Sequence, residues 1–311
     1  MFDKLMIDNL VSVIIPTYKR SDYLLQTIES VLNQTYSSIE IIVVDDNGFG
    51  TVFQKETYNK LKSLIVSNKI IYIPHDTNKN GSAARNTGFK ASKGEYINFL
   101  DDDDELMPDK IEKQVHILSQ KNNEYQATYC NRKSIRLQNI THKKIVSCSH
   151  CMQDGNILED YLFSRCLMST SSILFRREAI EQLGGWDESY NRHQDLELMT
   201  RFFMFFKVCP TGDVPLMVYD LVKDRGNVPN PIKDYEIKKK YLTQFSSFFE
   251  CRGIKNSVLH YFWYNCLANA FVNINFTVAK KAYQEMKRYG KCSWDERIGL
   301  MKKIIIGLLK K

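Results

Sequence analysis

Four consecutive aspartates stand at 101–104, in the segment FLDDDDEL. Like charges so close repel one another unless a cation or hydrogen-bond donors neutralise them. Hard divalent cations take oxygen ligands, and Mg2+ or Mn2+ commonly bridges one or two carboxylates to substrate phosphates. The cluster is therefore a candidate metal–phosphate site, against the plainer reading of a solvated acidic loop. A second acid pair ends VVDD, 43–46. Carboxylates just beyond an early strand can accept hydrogen bonds from a ribose or a base N–H, or Asp45 or Asp46 can simply cap the next turn. NGSAARNTG, 80–88, puts small residues and Arg85 at the start of a helix. Small side chains allow close approach, and a guanidinium pairs bidentately with phosphate or an acid; ordinary helix packing with a surface arginine is the alternative. GGWDESYNRHQDLELMTRF, 184–202, sets Trp186 and Asp187 after a glycine turn and Asp195 before a helical pattern. A carboxylate there is stabilised as the anion by the helix dipole. It can act as a general base toward a nearby hydroxyl, or do no more than cap the helix.

Strands and helices must alternate to place these groups. VSVIIP (11–16) is a β-branched run stopped by proline, and Ser21 then reads as a helix cap. IEIIVVDD (39–46) is a second buried strand, 53–67 a polar helix and 69–73 a third strand. Residues 82–91 read as a helix and 96–100 as a fourth strand that again ends in acids. Near-continuous apolar strands alternating with helices imply a parallel sheet covered on both faces. Ligands of such sheets bind at the carboxyl ends of the strands, where both acid clusters sit. Further on, 110–120 reads as a helix, 127–137 and 172–175 as strands, and 177–183 as a helix closed by Gly184 and Gly185. From residue 233 the pattern is helical throughout. The boundary is placed near 222, giving an α/β domain at 9–222, with halves at about 9–104 and 105–222, and a helical region at 223–311.

The chain has 311 residues, eight cysteines and a net charge of +7. Ordinary apolar content excludes disordered and collagen-like classes. Scattered cysteines and an N-terminus without an apolar core predict free thiols in a reducing cytoplasm. The charge is asymmetric: from Lys223 onward, 18 Lys and Arg face 7 Asp and Glu. A basic tail of this kind suits nucleic acid, an anionic membrane surface, or simply solvent. No GxGxxG follows the first strand and no GxxxxGK[ST] occurs, which disfavours dehydrogenases and P-loop enzymes. Residues 256–279 carry no Asp, Glu, Lys or Arg, but five asparagines among them predict a buried helix and not a membrane span.

Taken in order, PTY at 16–18, VVDD, NGSAARN, FLDDDD, GGWDE and HQDLELMTR resemble the motif series of the family 2 glycosyltransferases, over about 11–206. The resemblance implies a GT-A fold, a mostly parallel sheet flanked by helices with a Rossmann-like nucleotide-binding half, and a helical C-terminal region. It further implies that Pro16, Thr17 and Tyr18 line a nucleotide pocket, Asp46 reaches the base, Arg85 approaches the base or diphosphate, and Asp101 sits by the ribose. Asp103 would bind Mg2+ or Mn2+ and Asp195 would be the catalytic base. Gln194, Arg201 and Asp187 would support the site. Three departures stand out. Gln194 replaces the common glutamate, VDDNGFG replaces VDDGS, and four aspartates leave Asp102 or Asp104 as substitutes for Asp103. Residues 220–230 match poorly a region where many relatives supply another ligand.

The activity implied is inverting transfer of a sugar from a nucleotide-diphosphate donor, UDP-linked, to a saccharide hydroxyl in bacterial surface-polysaccharide synthesis. A polyprenyl-diphosphate-linked acceptor fits this. A sugar nucleotidyltransferase and a non-catalytic nucleotide-sugar binder are the competing readings. CSHC at 148–151 has a CxxC spacing without a second pair nearby, so zinc is disfavoured. At the end, WDERIGLMKKIIIGLLKK interleaves Ile298, Met301, Ile305, Leu308 and Leu309 with lysines. Such a basic amphipathic helix can lie in a membrane interface. The chain is accordingly expected to be cytoplasmic and peripheral on the inner face of the plasma membrane. No nucleic-acid module is recognisable.

Overall fold

The computed structural model describes residues 6–137, 143–220 and 230–309. The chain divides into two compact units, 1–223 and 224–311. The boundary expected near 222, and most of the 220–230 segment, lie outside the described residues.

The first unit opens with β1 (Ile7–Thr17), α1 (Ser21–Leu32), β2 (Ile39–Asp45), α2 (Val52–Val66), β3 (Ile71–Pro74), α3 (Gly81–Ala91) and β4 (Gly94–Phe99). There follow β5 (Asp104–Leu106), α4 (Lys110–Ser119), β6 (Tyr125–Tyr129), β7 (Arg132–Leu137), β8 (Lys143–Cys148) and α5 (Leu158–Leu162). The unit ends with β9 (Ile173–Arg176), α6 (Arg177–Gln182), α7 (Gln194–Phe205), β10 (Lys207–Pro210) and β11 (Met217–Asp220). Seven strands form one sheet in the order β10-β6-β9-β4-β1-β2-β3. Its pairs are parallel except where β9 runs against β4 and β6. A smaller sheet has the order β5-β11-β7-β8.

The apolar runs of β1, β2 and β4 follow from burial on both faces. Val11, Val13 and Ile15 of β1 join Val43, Leu24 and Ile28 of α1, Leu61 of α2 and Ile111 of α4 in one core. Ile14 and Val44 face the other way, against α3. There Gly88 is so close that a Cβ would lie 2.3 Å from Ile14 Cγ2. Small residues in the 81–88 stretch thus serve the approach of helix to sheet. Gly94, which opens β4, is tighter in a different sense: an added Cβ would meet Leu10 O at 2.5 Å and Ser12 N at 2.8 Å, both backbone atoms. Gly94→Ala is expected to cost about 1–3 kcal/mol through forced backbone shift, read as a lower urea midpoint at unchanged m-value.

Two expectations are corrected. The single strand at 127–137 is two strands in different sheets. The chain turns at Asn131, whose side chain accepts from Cys151 N (2.8 Å) and donates to Cys151 O (3.1 Å) and Gly212 O (3.3 Å). Nothing in its apolar pattern marks that break. The thiols are also not all free. Cys151 and Cys166 come within 5.3 Å Cα to Cα and are joined as a disulfide. This takes Cys151 out of any CxxC metal site and removes the thiol argument for a reducing compartment.

The second unit holds α8 (Pro231–Cys251), α9 (Lys255–Val272), α10 (Phe276–Tyr289) and α11 (Trp294–Leu309). The uncharged run 256–279, expected as one buried helix, is broken at 273–275 and supplies α9 and the first turn of α10, which Asn275 caps; α9 packs against α8, α10 and α11 and so is apolar on several sides. Tyr241 stacks on Phe262 at 5.4 Å, and Tyr235 lies 5.0 Å from Trp263. Ser293 and Glu296 exchange side-chain and backbone hydrogen bonds in a capping box that starts α11. Among the described residues, no helix is long and apolar enough to cross a membrane.

Candidate active site

β1, β2 and β4 end side by side and deliver Thr17, the Asp45–Asp46 pair and the acid cluster to one edge of the sheet. Three sequence-distant elements meet there. Arg85, on the second turn of α3, donates from Nη2 to Asp101 Oδ1 (2.7 Å) and from Nη1 to Gln194 Oε1 (3.1 Å). Its guanidinium lies 4.6 Å from the centre of the Trp186 ring. Gln194 in turn donates to Tyr190 O at 2.8 Å. Arg85 thus gathers the acid cluster, the GGWDE turn and the start of α7, where Asp195 sits. Arg85 Nε and Trp186 Nε1 are buried without a hydrogen-bond partner.

Asp195 is partly exposed in the first turn of α7. Burial pushes its carboxyl up to about 6, the Arg85 guanidinium pulls it back and Asp101 adds to the rise. That value suits a group that must accept a proton near neutral pH. His193, just before the helix, holds a left-handed backbone (φ 56°) and passes its carbonyl to Glu197 N at 3.0 Å.

The four aspartates separate into distinct environments. One carboxylate oxygen from each of Asp101, Asp103 and Asp104 lies within 4.8 Å of the others. Three oxygen donors at that spacing fit a hard divalent cation. Asp102 turns away, accepting from Thr17 Oγ1 at 2.7 Å and from Arg20 Nη1 at 3.4 Å. Burial pushes its carboxyl up to about 7, with Arg20 and Thr17 opposing. Of the two substitutes the sequence left open, Asp104 joins the cluster and Asp102 does not. Arg20 also donates to Asp103 Oδ2 at 3.0 Å. Lys110, fully buried in α4, donates to Asn98 Oδ1 at 3.4 Å; burial pulls its ammonium down to about 8, and Asp104 opposes that. Arg20 and Lys110 were not singled out in the sequence. Arg20 stands three residues after Thr17 and was legible as a basic residue at a strand end; Lys110 reads as any surface helix lysine.

Asp46 is placed differently from its expected role. Oδ1 accepts from His75 Nδ1 (2.7 Å) and Lys79 N (2.8 Å), and Oδ2 from Asn78 Nδ2 (2.8 Å) and Asn80 N (2.9 Å). Both oxygens are fully engaged within the chain, so none is left for a base. The carboxylate instead fixes the 75–80 segment. Asn80 from that segment caps α3 through Ser82 N and Ala83 N, which sets the helix carrying Arg85. Pro16 and Thr17 end β1; Tyr18 beyond them is 43% exposed, and the Lys19 ammonium lies 4.9 Å from the centre of its ring.

The supporting residues divide by task. Asn86 brackets the Trp186 backbone, donating to its carbonyl (2.9 Å) and accepting from its amide (2.8 Å). Gly185 must be glycine there: its φ is +78° and a Cβ would meet Asn86 Oδ1 at 2.6 Å. Asp187 closes the turn by accepting from Ser189 N at 2.8 Å. Arg201 makes a two-pronged pair with buried Glu197 (2.6 and 2.7 Å) and donates to Leu183 O and Gly185 O (2.7 and 2.9 Å). It ties α7 to the glycine turn. A lysine cannot meet all four oxygens, so Arg201→Lys is expected to lose about 1–3 kcal/mol for the carbonyl left unpaired. Thermal unfolding reads the loss.

Residues 12–184 match the signature of Glycosyl transferase family 2, more than half of the chain. The chain belongs to that family. An uncharacterized glycosyltransferase of Rickettsia prowazekii is 35% identical over 199 residues, 62% of this chain and 58% of that protein. The amylovoran biosynthesis glycosyltransferase AmsB of Erwinia amylovora is 30% identical over 199 residues, 61% of this chain and 62% of AmsB. The Escherichia coli UDP-Glc:alpha-D-GlcNAc-diphosphoundecaprenol beta-1,3-glucosyltransferase WfaP is 40% identical over 109 residues, 35% of this chain and 41% of WfaP. The chain thus spans about three fifths of the length of the first two relatives. S. aureus TarS 1-349 in complex with UDP-GlcNAc shares the fold at a TM-score of 0.57 and 14% identity, over 90% of this chain and 89% of that one. The mannosyltransferase PcManGT of Pyrobaculum calidifontis, in complex with GDP-Man and Mn2+, does so at 0.56 and 16%, over 96% and 86%. The first unit of this family 2 chain therefore has the GT-A fold that the motif series implied. Asp195 and α7 lie beyond the matched stretch, and their place in the site rests on the contacts through Arg85 and Gln194.

Proposed function

We propose that this chain is an inverting glycosyltransferase that moves a sugar from a nucleotide-diphosphate donor, UDP-linked, to a hydroxyl of a saccharide acceptor. The observation that carries the proposal is that Arg85 joins Asp101 of the acid cluster to Gln194, the residue next to Asp195 at the start of α7. Direct displacement needs one base and one stabilised leaving group, and the two acid sites supply both. The acceptor hydroxyl gives its proton to Asp195 as its oxygen bonds to the anomeric carbon. The bond from that carbon to the diphosphate oxygen breaks on the opposite face, and the electron pair leaves with the nucleoside diphosphate. Arg85 holds Asp101 and the start of α7 in register. Pro16, Thr17 and Tyr18 form one wall for the nucleotide. Asp101, Asp103 and Asp104 would hold Mg2+ or Mn2+, which supplies positive charge against the departing diphosphate.

Relatives support the substrate classes. TarS was solved with UDP and with UDP-GlcNAc. The names of WfaP and AmsB point to a diphosphoundecaprenol-linked acceptor and to a bacterial polysaccharide. A lipid-linked acceptor at an anionic membrane surface agrees with the basic C-terminal region. The test is a thermal-shift panel of UDP, GDP, CDP and dTDP, each with and without Mn2+. Binding to the folded state alone stabilises it by about 2.7 kcal/mol at a hundredfold excess over the dissociation constant. A Mn2+-dependent shift with UDP is expected, followed by sugar transfer from a UDP-sugar. No shift with any nucleotide in a folded protein would overturn the proposal.

A further inference from the structure

The second unit carries a groove of about 380 Å³ between α9, α10 and α11. That size is typical of a small-molecule site, roughly 300–1,000 Å³. Phe271, Phe276, Leu300, Met301 and Ile304 make its walls, and Lys280 and Arg297 stand among them. The walls are almost wholly hydrocarbon, yet Phe276 is 64% and Met301 58% exposed. Met301 also belongs to a second feature. Trp294, Ile298, Met301, Ile305 and Leu308 recur every three or four residues along α11 and are all exposed. An apolar stripe therefore runs along the helix and opens at Met301 into the groove. Between residues 276 and 303 the sequence has eight Lys and Arg against three Asp and Glu; on α11, Lys302 flanks the stripe and Lys303 lies on the opposite face of the helix.

We propose that this groove takes one hydrocarbon chain of an anionic phospholipid, with its headgroup phosphate met by Lys280 and Arg297. The stripe of α11 then lies among neighbouring chains. The inference deepens the membrane-surface part of the proposed function and rests on it. Charge decides the occupant. A second copy of this chain seated on the stripe would bring two basic faces together, which costs energy. An anionic lipid supplies the opposite charge at the groove mouth and an apolar chain for its walls. Such a site differs from adsorption of a basic helix, because salt screens the charges but leaves the buried hydrocarbon in place.

The experiment is flotation of the full chain with phosphatidylcholine vesicles containing 30% phosphatidylglycerol, at 0.1 M and at 1 M NaCl. Binding is expected at low salt, with a measurable part surviving at high salt. Met301→Glu puts a carboxylate at an exposed position of the groove and should lower the high-salt part about tenfold. Ala279→Trp, which fills the groove from α10, should do the same. Exchange of Lys302 and Lys303 for serine should weaken low-salt binding and spare the high-salt part. The UDP–Mn2+ thermal shift, measured on each variant, should be unchanged; its absence from the wild type as well would count against the proposed activity and not against the groove. Complete release of the wild type at 1 M NaCl, or equal high-salt binding by wild type and Met301→Glu, would overturn the inference. So would a dimer in solution that Met301→Glu dissociates while vesicles bind neither form.

Discussion

Replacing Asp195 by asparagine is expected to lower turnover by about 10²- to 10⁴-fold while leaving the UDP–Mn2+ thermal shift in place. The amide keeps the size and most hydrogen bonds of the carboxylate but cannot take the acceptor proton. Arg85 keeps Asp101 and Gln194 as partners, so the donor side of the site should survive. The pH profile gives a sharper version of the same test. A base works in its ionised form, and the Asp195 carboxyl is raised to about 6 by burial. In wild type, kcat/KM should therefore fall as pH drops through about 6 and level off above it. Of the groups that pull this value down, Arg85 acts most strongly, ahead of His193 and Thr170. Arg85→Met should move the acid limb to higher pH, besides whatever it costs in donor binding. Loss of nucleotide binding together with turnover in Asp195→Asn, or an acid limb that stays put in Arg85→Met, would count against Asp195 as the base.

Much of this site was legible because its groups sit at positions that topology exposes. A buried apolar strand followed by acids places those acids at the sheet edge whatever else the chain does, and that located the 101–104 cluster. Asp195 was legible for a similar reason, as a carboxylate opening an apolar-faced helix. Which aspartate does what was not legible. The contrast between Asp102 and Asp103 comes from Thr17, which donates to Asp102, while Arg20 reaches both; Thr17 and Arg20 stand more than 80 positions earlier in the chain. Asp46 shows what strand-end position leaves out. A carboxylate at a strand end looked available, but four donors from 75–80 converge on it, two of them backbone amides whose direction no residue type announces. The same limit hid the break at Asn131 and the Cys151–Cys166 pair, each fixed by a contact between segments distant in sequence. In the C-terminal region the uncharged run announced a buried helix, but not its end at Val272. The groove beside it depends on how three helices pack, which composition does not encode.

The pair Asp103→Asn and Asp102→Asn should separate metal binding from structural support within one tetrad. Asp103 shares its cluster with Asp101 and Asp104, so its loss removes one of three oxygen donors and one negative charge. Turnover is expected to fall on the order of 10²- to 10³-fold, comparable to removing one group that stabilises developing charge. The Mn2+-dependent part of the UDP thermal shift should shrink with it. Asp102 faces Thr17 and Arg20, and burial has already raised its carboxyl to about 7. Its ionised form is therefore only part of the population at neutral pH, and the neutral amide is a close substitute. Asp102→Asn should leave the Mn2+ response intact. Arg20 adds a third arm, since its guanidinium lies against Asp103 and competes with any cation for that oxygen. Arg20→Ala should lower the Mn2+ concentration needed for the half-maximal shift, because it leaves the carboxylates less neutralised. If Asp102→Asn and Asp103→Asn abolish the Mn2+ response equally, the division of labour among the four aspartates is wrong. If UDP binds as well without Mn2+ as with it, the cluster serves the nucleotide through Arg20 and Arg85 and not through a metal.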